Sequence, residues 1–192
     1  MSSTSRGRFG MIKNGWKAAC LSRAVHREVK DDPGLVLHAL GLVVMAGISL
    51  SVGMMSVLDL ESQTQLELVG IMDRLMGTWL GVLTSVLGWA LWGGIVYLLA
   101  GRFLGGKSSY NETLRVLGIC YGPGLLRAFP GDIGIYLSLV GSVWVLVAAV
   151  VAIRAAHEID WVGAIIPTTL GWLISFFFLP ALILSSYNFA LP

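Results

Sequence analysis

The stretch that decides the fold runs from residue 101 to residue 127 and has the sequence GRFLGGKSSYNETLRVLGICYGPGLLR. It begins with a polar turn that contains glycines and continues into an apolar segment with Gly-Pro-Gly at positions 122–124. Proline inside a helix removes a backbone donor and clashes with the preceding turn, so the tripeptide predicts a kink or an unwound point. Charge, a flexible turn and a broken helix therefore meet within one short stretch.

Composition assigns the whole chain to the integral membrane proteins. Hydrophobic residues make up 56% of the 192 residues, charged residues make up 12%, and the mean hydropathy is +0.79. Soluble domains carry about 25% charged residues, and a helix needs about 20 apolar residues to cross a bilayer. We predict an all-α fold, a five-helix transmembrane bundle over residues 33–188. Its spans fall within the apolar runs 33–58, 75–101, 113–129, 133–153 and 161–192, the last of which extends past the end of the bundle.

Residues 1–32 form a basic arm ahead of the first span. Phe9, Ile12 and Trp16 recur at helical spacing with basic residues between them, which is typical of amphipathic segments that lie on a membrane surface. We predict that the arm binds the anionic cytoplasmic leaflet of the lipid bilayer. A docking site for a protein partner is the alternative.

The distribution of Lys and Arg predicts the orientation, because short loops rich in these residues stay in the cytoplasm. Residues 1–33 hold seven of them, residues 101–115 hold three, and the loop after the fourth span holds Arg154. Only Arg74 and Arg127 fall on the other side. The N terminus is therefore predicted to be cytoplasmic and, with five spans, the C terminus lies outside.

The broken third span has two interpretations. Broken helices line many transport sites, where half-helix ends coordinate ions or polar solutes, and here Tyr121 and Arg127 stand beside the break. A structural kink is the alternative. Small residues at Gly47, Ser51, Gly77 and Gly81 predict close helix packing within the chain. Trp144, near the middle of the fourth span, is expected in the aromatic core inside the bundle, and packing against a partner is the alternative.

The two predicted cytoplasmic loops carry a group of polar residues that could face each other. We predict that Ser108 or Ser109 caps the third helix, with Glu112 in its first turn. The basic and acidic side chains would form a polar cluster that holds the loops together, and a ligand or metal site is the alternative. The basic residues of this cluster are Arg102, Arg115 and Arg154, and its acidic residues are Glu112, Glu158 and Asp160.

Nothing in the sequence predicts an enzyme. The letters of a phosphate-binding loop occur at 101–108, but transmembrane segments flank them instead of the strand and helix that such a loop needs. Cys20 and Cys120 lack metal-ligand spacing, and His157 alone cannot hold a metal ion. No nucleophile with its base is apparent. We therefore predict no catalytic residue, no cofactor, no metal ion and no nucleic-acid partner.

The sequence resembles the Yip1 domain family from about residue 33 to residue 185. The residues that carry the resemblance are Arg102, Gly105, Gly106, Tyr110, the run 113–116, Gly118, Tyr121, Pro123, Trp144 and the run 154–157. The resemblance implies several membrane spans and a cytoplasmic N terminus. With the loop residues it yields these candidate functional or structural positions: Arg102, Gly105, Gly106, Tyr110, Glu112, Arg115, Gly118, Tyr121, Pro123, Arg154, His157 and Glu158.

In eukaryotic members, the resemblance would imply binding of Rab GTPases in vesicle traffic. This chain departs from them: it lacks an acidic DLYGP motif before the first span, and its arm is short and basic. A Rab partner is therefore not expected. We predict a protein of the bacterial inner membrane that acts as a scaffold or accessory subunit for other membrane proteins, or in membrane organisation. Self-association is also expected, and a small channel or transporter is the alternative.

Overall fold

The structure is all-helical over the part of the chain that it describes. The computed structural model describes residues 33–58, 67–179 and 181–182, with side chains described at 34–53, 77–179 and 181–182. The basic arm lies outside these residues. The helices are α1 Val36–Leu58, α2 Glu67–Val96, α3 Tyr110–Ile119, α4 Gly131–His157 and α5 Trp161–Leu173. The π-helical segments Tyr97–Phe103 and Ile174–Phe178 extend α2 and α5.

Four helices among the described residues are long and apolar enough to cross a membrane. Their apolar spans are Val36–Gly53, Gly77–Phe103, Gly131–His157 and Trp161–Phe178. They correspond to the first, second, fourth and fifth predicted spans, so the assignment to the integral membrane proteins is supported. The third predicted span has a different form, since it is a short helix followed by a segment of tighter winding.

Helix α3 begins where the sequence predicts it. The Ser109 side chain accepts a hydrogen bond from the backbone N–H of Glu112, and the Glu112 carboxylate accepts one from the N–H of Ser109 at 3.0 Å. This reciprocal capping box satisfies two donors that the first turn of a helix leaves free. Asp160 caps α5 with a single hydrogen bond, because its Oδ1 accepts from the N–H of Gly163 at 2.9 Å.

The predicted break in the third span is confirmed, and its backbone is largely satisfied from within. Helix α3 ends at Ile119, and the chain continues as the 3-10 helix Gly122–Ala128 with Pro123 near its start, where a missing N–H costs nothing. The N–H groups of Cys120, Tyr121 and Gly124 donate to carbonyls three residues earlier, at 2.8–3.2 Å. These bonds replace the α-helical ones that the break removes.

This broken segment, residues 110–128, lies at the centre of the bundle. It packs against α1, α2 and α4, and the residues from Arg115 to Tyr121 are all buried. At Gly118 a Cβ atom would lie 2.6 Å from the Cβ of Ala39, and at Gly124 a Cβ would lie 3.4 Å from that of Ala46. The segment therefore runs alongside α1, and the absence of a side chain at Gly118 lets the two backbones approach.

Small residues bring α1 and α2 together, as predicted. The Ser51 hydroxyl lies 3.1 Å from the carbonyl of Gly47 on its own helix and 3.1 Å from that of Gly77 on α2. A Cβ at Gly81 would lie 3.0 Å from the carbonyl of Gly47. The small-residue pattern thus serves packing within the chain.

The aromatic core differs from the prediction in one residue. Trp92 is fully buried, and its Nε1 donates to the carbonyl of Thr168 at 2.9 Å, but Trp144 is 46% exposed on α4. The expectation that Trp144 belongs to the aromatic core was therefore wrong. Lipid is as apolar as the interior of a bundle, so an aromatic residue in the middle of a span can face either environment.

Candidate functional site

Two connections meet at one end of the bundle, residues 104–109 between α2 and α3 and residues 158–160 between α4 and α5. Together with His157, the last residue of α4, they form what we call the loop junction. The Ser108 hydroxyl is buried and donates to the carbonyl of Ala156 at 2.7 Å. The N–H of Lys107 donates to the carbonyl of His157 at 3.2 Å, and that of Gly106 donates to the carbonyl of Ala100 at 3.0 Å. These bonds tie the 104–109 loop to the ends of α2 and α4.

His157 is the buried centre of the loop junction. Its side chain is 1% exposed, and its Nε2 lies 3.0 Å from the hydroxyl of Thr113. That hydroxyl also donates to the carbonyl of Ser109 at 2.9 Å. A carbonyl can only accept, so both contacts are satisfied when the Nε2 of His157 carries the proton and donates to Thr113.

Gly106 closes the loop junction over the His157 ring. A Cβ at Gly106 would lie 2.5 Å from the His157 Nδ1 and 2.7 Å from the Ala100 carbonyl, so only glycine fits this position. The neighbouring Gly105 is different, because its φ of +70° calls for glycine while the space around it is open. The two candidate glycines therefore have different physical roles.

An ion pair joins the exposed faces of the two loops. The Nζ of Lys107 lies 2.7 Å from the Oε2 of Glu158, and this hydrogen bond, with the attraction of the carboxylate, raises the pKa of Lys107. Glu158 ends α4 in the left-handed region at φ 56°. The left-handed turn carries Glu158 back over the 104–109 loop. The sequence predicted Arg side chains as the basic partners across the loops, and Lys107 was not among them.

Four further candidate positions lie on the helical elements that flank the loop junction. Arg154 stacks on Trp161, with its guanidinium carbon 4.3 Å from the ring centroid. The Tyr110 hydroxyl donates to the carbonyl of Ala90 at 3.2 Å. Arg102 is exposed at the end of α2, and Arg115 is buried on α3 with 7% of its side chain exposed.

The other candidates, Gly118, Tyr121 and Pro123, lie along the broken segment and away from the loop junction. Tyr121 is 2% exposed, and its ring centroid is 6.0 Å from that of Trp92 and 5.8 Å from that of Phe176. It also lines a cavity of about 230 Å³ that reaches Arg127. The structure thus divides the predicted positions into two groups, one at the loops and one beside the break.

Sequence reasoning missed the residues that hold each group together. Ser108 was considered only as a cap, whereas its hydroxyl ties the loop to α4. Thr113 was noted for the family resemblance alone, yet it is the partner of His157. Trp89 and Trp92 donate to main-chain carbonyls of Leu114 and Thr168, which no sequence spacing indicates.

Comparison with known proteins gives one finding about the family. The Yip1 domain family model matches residues 22–183 of this chain. Neither the curated proteins nor the solved structures contain a match to it. The matched range includes every helix described above, the loop junction and the broken segment. The chain therefore belongs to the Yip1 domain family.

Proposed function

We propose that this protein is a non-enzymatic scaffold or accessory subunit that binds another membrane protein through the outer surface of the loop junction. The observation that supports the proposal is that buried hydrogen bonds hold the loops of the loop junction in place. The Ser108 hydroxyl donates to the carbonyl of Ala156 on α4, and the Thr113 hydroxyl on α3 bonds to the His157 ring. Each such hydrogen bond stabilises the loops by about 1 kcal/mol. A surface fixed in this way is preorganised for a partner, which lowers the entropy cost of binding.

The surface that would meet the partner is an apolar edge with a basic residue. Phe103 is 77% exposed and Leu104 is 52% exposed, and Arg102 is exposed beside them. Leu104 lies against the start of α5, where Trp161 is 45% exposed. We infer that the partner presents an acidic group next to an apolar helix at the membrane surface. Docking of this edge into the lipid interface alone is the competing outcome, since exposed aromatic residues favour that region.

We also propose that the broken segment crosses the bilayer, which makes five crossings. Ten residues of α3 rise about 15 Å, and the seven residues of the 3-10 helix Gly122–Ala128 add about 14 Å. The sum of about 29 Å, to which the linking residues Cys120 and Tyr121 add, matches the hydrocarbon thickness of about 30 Å. With the basic residues of the loops, this supports a cytoplasmic loop junction and an outside C terminus. The short basic arm without an acidic DLYGP motif supports a location in the bacterial inner membrane.

A channel or transporter is the second candidate, and the cavity beside the break is the observation that favours it. A transport site at a broken helix uses backbone carbonyls that the break leaves free. Here the carbonyls of Leu117, Gly118 and Tyr121 accept hydrogen bonds within the segment. Because these carbonyls already accept hydrogen bonds, the geometry favours the scaffold function over a transport site.

Site-specific cross-linking in native membranes tests the proposed function. With a photoreactive residue in place of Phe103, we expect one discrete cross-linked protein, and the same residue in place of Ile133, which is 71% exposed on α4, should yield lipid adducts only. Arg102→Glu should abolish the protein adduct if the partner's contact is acidic. Lipid adducts alone at Phe103, or ion or solute flux in liposomes that Pro123→Ala abolishes, would contradict the scaffold function.

A further inference from the structure

The cavity beside the broken segment contains a buried positive charge. Arg127 is 6% exposed, lines the cavity of about 230 Å³, and donates through its Nη2 to the Ser142 hydroxyl at 2.8 Å. Ser142 lies eleven residues from the start of α4, which places the contact about 16 Å along the helix. Ionisable groups at such depth are costly and almost always paired.

The described residues satisfy only part of the hydrogen-bonding capacity of the Arg127 guanidinium. Phe176 covers one face, with the guanidinium carbon 4.7 Å from the ring centroid. Ser142 accepts one of five N–H donors, and it can do so because its own proton goes to the Ser138 carbonyl at 2.7 Å. Among the described residues, Nε of Arg127 has no hydrogen-bond partner, and the cavity lining includes no carboxylate. The described part of the chain therefore leaves room in this cavity for an anionic ligand as the counter-charge.

Two further polar groups of the lining lack a protein partner. The Nε1 of Trp172 and the hydroxyl of Ser175 are buried without a hydrogen-bond partner among the described residues, and these side chains are 8% and 4% exposed. With Arg127 they supply three donors to one cavity, a set that suits an oxyanion. Leaving such groups unpaired would cost about 1–3 kcal/mol each.

The mouth of the cavity faces the lipid. Leu139, Val143 and Phe177 line the cavity and are also 59%, 53% and 53% exposed on the outer surface of the bundle. An apolar mouth at the lipid-facing surface admits an acyl chain and excludes a bare hydrated ion. Polar donors inside and an apolar entrance together describe a site for an amphiphile.

We propose that this cavity binds the anionic head of a membrane amphiphile, a phosphate or carboxylate carried on an acyl chain, with Arg127 as its charged contact. The head enters laterally between α4 and the end of α5 and accepts hydrogen bonds from Arg127, Ser175 and Trp172. The chain remains along Leu139 and Val143. This binding is independent of the partner-docking function and needs no transport.

Native mass spectrometry of the full chain in a neutral detergent tests the proposal. We expect one tightly bound phosphatidylglycerol or oleate per chain, with at least tenfold preference over phosphatidylcholine. Arg127→Gln should weaken binding about tenfold or more, whereas Lys107→Gln, which removes a charge from an exposed loop, should leave it unchanged. Binding of phosphatidylglycerol alone assigns the phosphate of a phospholipid, and binding of oleate alone assigns a free fatty acid.

Three results would overturn the proposal. They are equal retention of phosphatidylcholine, binding of inorganic phosphate as strong as that of the amphiphiles, and full binding by a folded Arg127→Gln variant. If Arg127→Gln does not fold, Ser175→Ala and Leu139→Trp decide, because the first removes a donor and the second blocks the mouth. Unchanged binding in both variants overturns the site, and weakened binding in both supports it. The cross-linking at Phe103 is unaffected by either result.

Discussion

Gly106→Ala should lower the free energy of unfolding by about 3 kcal/mol, because the new methyl group cannot fit between the His157 ring and the Ala100 carbonyl. The Cβ would lie 2.5 Å from Nδ1 of His157 and 2.7 Å from the carbonyl oxygen. Backbone on one side and a buried ring on the other leave little room for relief. Thermal unfolding in mild detergent measures the effect, at about 2–4 °C for each kcal/mol.

Two other glycines serve as controls for this substitution. Gly105→Ala should cost about 1 kcal/mol, since the space is open and only its φ of +70° opposes a side chain. Gly94→Ala lies in α2 with nothing within 4 Å of the new Cβ, so it should leave stability unchanged or raise it by up to about 1 kcal/mol. Equal melting temperatures for Gly106→Ala and Gly94→Ala would refute the close packing of the loop junction.

Trp92→Ala should destabilise the bundle by about 3 kcal/mol or more. Trp92 is fully buried, contacts the rings of Tyr121 and Phe176 at centroid distances of 6.0 and 5.7 Å, and donates to the Thr168 carbonyl. Its removal leaves a large cavity at the point where α2, the broken segment and α5 meet. Chemical unfolding followed by circular dichroism measures the loss.

Matched tryptophan variants separate the loss of buried packing from the loss of a tryptophan side chain as such. Trp79→Ala removes the same side chain from a position that is 70% exposed, so its effect should stay below about 1 kcal/mol. Trp92→Phe keeps a ring but removes the bond to Thr168, and it should cost about 1 kcal/mol beyond the smaller ring volume. A loss at Trp92→Ala no greater than that at Trp79→Ala would show that this aromatic cluster does not hold the helices together.

Local rules were enough to predict much of the fold. Apolar run length placed four of the spans, the Ser109 and Glu112 spacing predicted the start of α3, and Pro123 predicted the break. Each of these signals acts within a few residues or through the thickness of the bilayer. They do not depend on which helix is the neighbour.

The parts that could not be predicted depend on tertiary contacts or on lipid. Trp144 faces outward because a bilayer accepts aromatic side chains as readily as a core does. The left-handed conformation of Glu158 has no signal in sequence, since glycine is the usual residue there. The contact between Arg127 and Ser142 joins residues fifteen positions apart, from the 3-10 helix to α4, and no periodic pattern connects them.

The orientation of the bundle depends on whether the broken segment crosses the membrane. With a cytoplasmic N terminus, a crossing places the loop junction in the cytoplasm and the C terminus outside. Topology reporters fused after Lys30, Lys107, Glu158 and Pro192 measure this directly, and a fusion after Glu61 checks the outer side. We expect cytoplasmic signals from Lys30, Lys107 and Glu158, and outside signals from Glu61 and Pro192. A cytoplasmic signal at Pro192 would contradict the five crossings and the proposed path of residues 110–128.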